Sequence, residues 1–550
     1  MPDSSTCEPK SLPVTAELLQ NVDCDKSTFS RSSPDVRTRR LYFRGLGLVY
    51  FLAFLSLWSQ LHGLIGSQGI LPVERYFKLA REHLGSNVYW QLPSLCWVAS
   101  SDLMLHGWCL TGTALSVILC LGLAPRLVLV LLWLTYLSLS VAGQAFLSFQ
   151  WDTLLLEMTI CSLLYAPRGL HPDWQASSEP NPLARWLLWT LAFKLMFLSG
   201  VTKLLSGDGA WSDGTALQFH YDTQPIPSWV SWHFAQLPLW VHQVSLAVMF
   251  LVEIPLTFLV FVGRRSRAVF GVAMIVLMLL IEATGNFGFF NLQAIVLAIP
   301  LLNDEVFRFV PDRLSRWLLP KQTSRPEVAK VNAPRLWRRS LSGGFACAIL
   351  MASGLALVRE MARTQQADKL PKFVTSGLVL ADRLFLTWGE PWILKPLAPF
   401  RTINGYGLFR VMTTHRPEIV LEISQDAVTW TSCEFPYKPG QVARAPRIVA
   451  PHMPRLDWQM WFAALNPRGN EYWLLALSQK ILEGNAVTAR LIGHPELVAN
   501  PPRYLRWSYY EYKFSSVSQR QATGAWWSRS YTGYLTGPLS RRDDGSLETR

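Results

Sequence analysis

The sequence predicts a multi-pass α-helical membrane protein of about nine spans, followed by a β-rich, sandwich-like domain on the far side of the membrane. Three observations predict it. Seven largely apolar runs are long enough to span, Lys and Arg concentrate in alternate connecting segments, and after Val358 the apolar runs shorten and alternate between turn signals. Composition agrees: 16% of the 550 residues are charged, against about 25% in soluble domains. Half are hydrophobic, and the mean hydropathy is +0.19. The formal charge of +13 argues for basic cytoplasmic loops and not for a nucleic-acid partner.

Residues 1–40 hold Ser, Pro, Asp and Thr without an apolar core segment, so they are expected to be a disordered cytoplasmic tail and not a cleavable signal. Arg37, Arg39 and Arg40 then precede the first span, 41–65, and place the N-terminus in the cytoplasm. The other strong spans are 104–123, 126–147, 183–205, 239–262, 267–284 and 341–358. Two weaker segments, 152–166 and 289–302, are short enough to be re-entrant or buried half-helices instead. Counting both gives nine crossings and a membrane domain of 41–302. The 303–340 loop, with Arg308, Arg313, Arg316, Lys321, Arg325, Lys330, Arg335, Arg338 and Arg339, is then cytoplasmic. Segments 66–103, 206–238 and everything after 358 fall on the far side. If only one weak segment crosses, the polarity downstream inverts, so both or neither is favoured.

A C-terminal domain is expected over 359–540, with a polar, frayed tail at 541–550. Ile419, Leu421 and Ile423 alternate with Val420, Glu422 and Ser424, and a turn at Gln425-Asp426 leads into Val428, Trp430 and Ser432, which reads as a hairpin. RLDWQMWFAAL (455–465) reads as an aromatic helix and RYLRWSYYEYKF (503–514) as a strand.

Several stretches together resemble the lipase maturation factor family of multi-pass membrane proteins. They are GILP (69–72), WDTLLLE (151–157), RWLLWTLAFKLMFLSGVTKLLSGDGAW (185–211), LQFHYDTQPIP (217–227), TGNFGFFNL (284–292), GLFRVMTTHRPEIVLEISQDAVTW (407–430), PRLDWQMWFAAL (454–465) and PPRYLRWSYYEYKF (501–514). They follow one order across both halves of the chain. One departure is Ala427, at a turn position where the family pattern has Gly, although Ala tolerates a positive φ poorly. The resemblance implies a factor that assists folding and dimer assembly of secreted lipases. It implies a location in the endoplasmic reticulum membrane, or the cytoplasmic membrane in a bacterium. The clients would be dimeric lipases of the lipoprotein lipase group, engaged by the lumenal C-terminal domain. No cofactor is implied.

Charges inside spans are costly and therefore candidate sites. Lys194 and Lys203 lie nine residues apart in one span, about two and a half turns, so they point to opposite sides and need separate partners. Glu157, Glu253 and Glu282 lie in neighbouring segments, and Glu157 or Glu253 is the expected partner of Lys194. Either pair could be a packing device, since breaking a buried pair is costly whatever its role. FLSGVTKLLSGDGAW also has a more distant similarity to the segment of the vitamin K-dependent γ-carboxylase group that carries a basic lysine. That similarity implies a runner-up, a membrane enzyme using Lys203 as base; the bland alternative is a lysine snorkelling at a helix end. The loop after it collects Asp208, His220, Tyr221 and Asp222. Eight cysteines and ten histidines show no metal-ligand spacing, and no GxSxG elbow or nucleotide loop occurs, so no metal or cofactor is expected. Trp458, Trp461 and Phe462 are candidates for an exposed client-binding patch, although an aromatic run at helical spacing is more often core.

Overall fold

The computed structural model describes residues 36–172, 182–303, 336–363 and 370–549. Most of the expected tail 1–40 and of the basic loop 303–340 lies outside them. The last part of that tail is helix: α1 (Val36–Trp58) begins before Leu41 and buries Thr38 and Arg39. It is followed by α2 (Asp102–Leu121), α3 (Pro125–Ala142), α4 (Gln150–Ser162), α5 (Pro182–Leu205), α6 (Leu239–Glu253), α7 (Arg264–Thr284), α8 (Phe290–Ala298) and α9 (Leu336–Ala362). Local chemistry sets the ends: α2 stops at Gly122 in the left-handed region, and α3 starts with Pro125 in its first turn.

Among the described residues, seven helices are long and apolar enough to cross a membrane: α1, α2, α3, α5, α6 with its continuation to Val262, α7 and α9. The chain is a multi-pass membrane protein. Leu110 and Leu121 on α2, Val244, Val248 and Leu251 on α6, and Val276, Leu279 and Leu280 on α7 are exposed apolar side chains suited to lipid. The two weak segments are short helices enclosed by protein. At 13 residues, α4 is about 20 Å long, short of an apolar core about 30 Å thick. Its neighbours on α1 hold it with Tyr42 to Ser162 and Tyr50 to Thr159 hydroxyl bonds of 2.6 and 2.5 Å. The close crossing of α1 and α2 depends on a missing side chain, because a Cβ on Gly47 would stand 2.6 Å from Cys120 Sγ and 2.9 Å from the Ser116 carbonyl.

The C-terminal part expected over 359–540 begins with helix before its strands. The chain is helical from Lys372 through Phe400, widening into π-turns at Asp382–Leu386 and Glu390–Leu394. Pro391 and Pro396, which suggest breaks in the sequence, are accommodated within this run. Strands begin with β1 (Pro417–Ser424) and continue as β2 (Thr431–Cys433), β3 (Tyr504–Phe514), β4 (Trp527–Tyr534), β5 (Leu539–Arg541) and β6 (Leu547–Thr549). They form one antiparallel sheet in the order β2-β1-β3-β5-β6, with β4 also paired to β3. The expected hairpin is there, Leu421 opposite Cys433 and Ile423 opposite Thr431. Ala427 does adopt a positive φ of 61°. Asp426 Oδ1 stabilises that turn by accepting from the backbone N–H groups of Val428 and Thr429, both at 2.8 Å.

The β-rich domain is thus present, but as a single sheet and not a sandwich. Helices take the place of a second sheet: α10 (Arg455–Leu465) packs on β1, and α11 (Pro467–Leu482) lies behind β3, where the Trp507 indole donates to Ser478 at 2.8 Å. The frayed tail is also corrected. Residues 541–549 close a β5–β6 hairpin around Asp543-Asp544-Gly545, with Gly545 at φ 84°.

Candidate functional site

The site begins on α4, where Asp152 and Glu157 project from a helix with no solvent beside it; both are 0% exposed. Leaving either carboxylate unpaired would cost several kcal/mol. Glu157 receives the Lys194 ammonium from α5 on one oxygen. Its other oxygen accepts from Tyr406 Oη at 2.6 Å, the Asn404 backbone N–H at 3.0 Å and Asn404 Nδ2 at 3.1 Å. Asp152 is gripped by both guanidinium nitrogens of Arg455, at 2.8 and 3.0 Å, and by Tyr136 Oη at 2.5 Å. Both acids of the buried helix are therefore completed by residues from the C-terminal part of the chain.

The second lysine of α5 turns the other way, as its spacing requires. Lys203 Nζ lies 2.7 Å from Glu253 Oε2, with both side chains about 95% buried. The sequence makes this contact possible in two ways. Pro255 ends α6 at Glu253, and Gly200 lets α5 and α6 touch, since a Cβ there would stand 2.6 Å from Ile254 and 2.9 Å from Glu253. Lys203 does not snorkel; it is locked inside.

Beside this pair lies a cavity of about 290 Å³ between α5, α6, α7 and the 408–409 loop. His220 and Tyr221 line it. Burial, reinforced by the nearby Lys203 charge, pushes the His220 imidazole down to about 4. Burial pushes the Tyr221 phenol up to about 12. The remaining loop candidates do not face it. Asp208 caps a helical turn through Ala210 N–H at 3.0 Å and accepts from Met412 N–H at 2.6 Å. Asp222 stands near Arg416; burial raises its carboxyl to about 6 against the pull of that cation. Glu282 accepts from Asn291 Nδ2 at 2.6 Å and has no ion pair among the described residues. No group of three or more His, Cys, Asp or Glu side chains suited to a metal ion occurs among the described residues.

The exposed patch expected of Trp458, Trp461 and Phe462 is corrected. Trp458 is 4% and Trp461 8% exposed. Trp458 packs on Phe149, Trp151 and Phe287 and donates to the Asn286 carbonyl, while Trp461 donates to the Thr223 carbonyl. They fasten the C-terminal domain to the helices; Phe462, 38% exposed, stands at the rim.

The lipase maturation factor transmembrane-domain model matches residues 37–309, and the lipase maturation factor C-terminal-domain model matches 402–536. The chain belongs to the lipase maturation factor family. It is 33% identical to human lipase maturation factor 2 over 93% of its own length and 84% of the relative's. It is 32% identical to the chicken form of that protein, covering 90% and 80%. With bovine lipase maturation factor 1 the identity is 31%, covering 92% and 89%. No solved structure matches. Asp152, Glu157, Lys194, Lys203 and Glu253 lie in the first family domain, and Tyr406 and Arg455 in the second. The buried polar clamps join the two, together with the Trp458 and Trp461 contacts.

Sequence reasoning named Glu157 as a candidate partner of Lys194 but missed the groups that complete the acid, Tyr406 and Asn404, and missed the Asp152–Arg455 pair. Tyr406 and Asn404 sit in an irregular loop, and Arg455 begins a helix otherwise read by its aromatics. The available signal was Asp152 itself, an acid at the start of the apolar 152–166 segment that needs a buried cation.

Proposed function

We propose that this chain assists the folding and dimer assembly of secreted lipases, with the C-terminal domain engaging the incompletely folded client and contributing no bond-making chemistry. Family membership supports a maturation role, since the relatives bear that name. The observation that carries the client-binding reading is the open edge of β4. Among the described residues β4 pairs only with β3, and it presents Tyr531 and Tyr534 half exposed. An unpaired strand edge with exposed aromatics is a template for an extended segment of another chain. Holding a client in this way favours its productive state by mass action. The ion pair that occupies the Lys203 amine argues against a free base there. In this reading the membrane is that of the endoplasmic reticulum, with the N-terminus cytoplasmic and the C-terminal domain lumenal.

Deleting the C-terminal domain is a poor test, because it would also strip Glu157 and Asp152 of their partners. The better test changes the β4 edge alone. Cells lacking their own maturation factor, expressing a lipase of the lipoprotein lipase group, receive wild type or the Tyr531→Ala/Tyr534→Ala variant at equal protein level. Secreted lipase activity and dimer content are expected to fall several-fold with the variant. Unchanged secretion would exclude β4 as the client surface.

A further inference from the structure

The cavity beside Lys203 and Glu253 has the features of a ligand site, not of a packing defect. Its volume, about 290 Å³, is at the lower edge of the roughly 300–1,000 Å³ of small-molecule sites. Most of its wall is apolar, with Met196, Met249, Leu277 and Phe290 among the contributors. It is not sealed. Val244, Val248 and Leu280 belong to its wall and are also 55%, 50% and 53% exposed, and they sit on the helices whose outer surfaces suit lipid. The opening therefore runs sideways between α6 and α7 into the apolar layer, a route for a molecule dissolved in the bilayer and not for one in water.

The polar end of the cavity limits the headgroup. Lys203 and Glu253 neutralise each other at 2.7 Å, so this pair offers no net charge to a phosphate, a carboxylate or an amine. Two groups remain unsatisfied. Asn291 is 0% exposed, and its Oδ1 has no hydrogen-bond partner although its Nδ2 donates to Glu282. The His220 imidazole makes no hydrogen bond among the described residues; it only packs edge-on against Phe409 and Tyr221. A buried amide oxygen left without a donor costs about 1–3 kcal/mol, a cost that a ligand O–H would remove. A hydroxyl both donates and accepts, so it suits a carbonyl-type oxygen and an imidazole together. The enclosed volume holds one head and part of one chain, the rest extending through the gap between α6 and α7.

We propose that this cavity binds a neutral, single-chain lipid with a hydroxyl head, a long-chain alcohol or monoacylglycerol in chemical class, entering laterally between α6 and α7. The chain lies among the apolar side chains, and the head meets Asn291 and His220 beside the Lys203–Glu253 pair. This goes beyond the client-binding role and does not depend on it.

The test uses the full-length protein in phosphatidylcholine nanodiscs and a long-chain primary alcohol carrying a diazirine on its chain. After irradiation, labelled peptides are mapped by mass spectrometry. Labelling is expected to concentrate on the cavity-lining stretches of α6 and α7, and excess unlabelled monooleoylglycerol should compete it away, whereas added phosphatidylcholine should not. Val248→Trp, a substitution at the half-exposed rim that leaves the core intact, should lower cavity labelling at least several-fold with the thermal midpoint unchanged. Asn291→Leu should lower it while leaving entry open. Labelling spread equally over the outer face of α2, equal competition by phosphatidylcholine, or cavity labelling unaffected by Val248→Trp would each overturn the proposal.

Discussion

Replacing Arg455 by Met should cost the folded protein about 3–5 kcal/mol, the range for breaking one side of a buried ion pair. Asp152, 0% exposed, loses two charge-assisted bonds of 2.8 and 3.0 Å and keeps only the Tyr136 hydroxyl. Met fills much of the volume vacated by Arg, so the cavity contribution is small and the orphaned charge dominates. At about 1.4 kcal/mol per tenfold, the population with the C-terminal domain lifted from α4 rises by roughly 10² to 4 × 10³. Cys161, 2% exposed on α4 and near Tyr406 from the C-terminal part, reports the opening. Its maleimide-labelling rate, followed on its own peptide by mass spectrometry in the full-length protein in nanodiscs, should rise by that factor in Arg455→Met. It should return most of the way in Arg455→Met/Asp152→Asn, because removing both charges removes the penalty. A Cys161 rate within a few-fold of wild type in the single variant, or no recovery in the double, would refute the claim that this pair secures the domain.

Other outcomes follow from the same geometry. Lys203→Met should sharply reduce the amount of protein in the membrane fraction, by an orphaned-charge cost of about 3–5 kcal/mol, and Lys203→Met/Glu253→Gln should restore it. Lipase matured per copy should stay constant in both, and a loss of activity at normal abundance would instead favour the lysine-base reading. Gly200→Val should lower the thermal midpoint through an overpacking cost of about 1–3 kcal/mol, since even its Cβ meets Ile254 at 2.6 Å; an unchanged midpoint would mean that α5 and α6 can separate freely. Asp222 has its carboxyl raised to about 6 from an ordinary 3.8. Its folded form thus holds a proton more tightly than the unfolded chain, and stability is lost as pH rises from about 4 through about 6. Asp222→Asn should accordingly stabilise the protein at pH 7, by at most about 3 kcal/mol, with the gain vanishing below pH 4. A gain that is independent of pH, measured by thermal unfolding, would show that the carboxyl titrates normally.

Local periodicity carried most of the secondary structure. Eighteen or more apolar residues cannot avoid being a helix in lipid, and the alternation of Ile419, Leu421 and Ile423 could bury one face only as a strand. RLDWQMWFAAL became a helix with the ends its sequence suggests, Arg455 and Leu465. The misreadings arose where local signals conflict with distant packing. Pro391 and Pro396 look like helix breakers, yet the run continues to Phe400 because α9 supports it through Leu355 and Leu394. The acidic, polar end looks frayed, yet β3 offers its Tyr504 and Leu505 to β5, and β6 closes the hairpin.

What the sequence by itself determined is a membrane bundle followed by a sheet domain, and the fact that Lys194 and Lys203 must have different partners, because helical geometry depends only on spacing. What only the tertiary structure decided is which of the candidate acids each lysine takes and which distant groups complete them. Glu157 takes Lys194 together with Tyr406 and Asn404, Asp152 takes Arg455 from a helix some 300 residues away, and Glu253 takes Lys203 because Gly200 brings α6 close. Buried charges demand compensation, but compensation can come from any segment the fold brings near. That freedom is why the acids were legible in the sequence and their clamps were not.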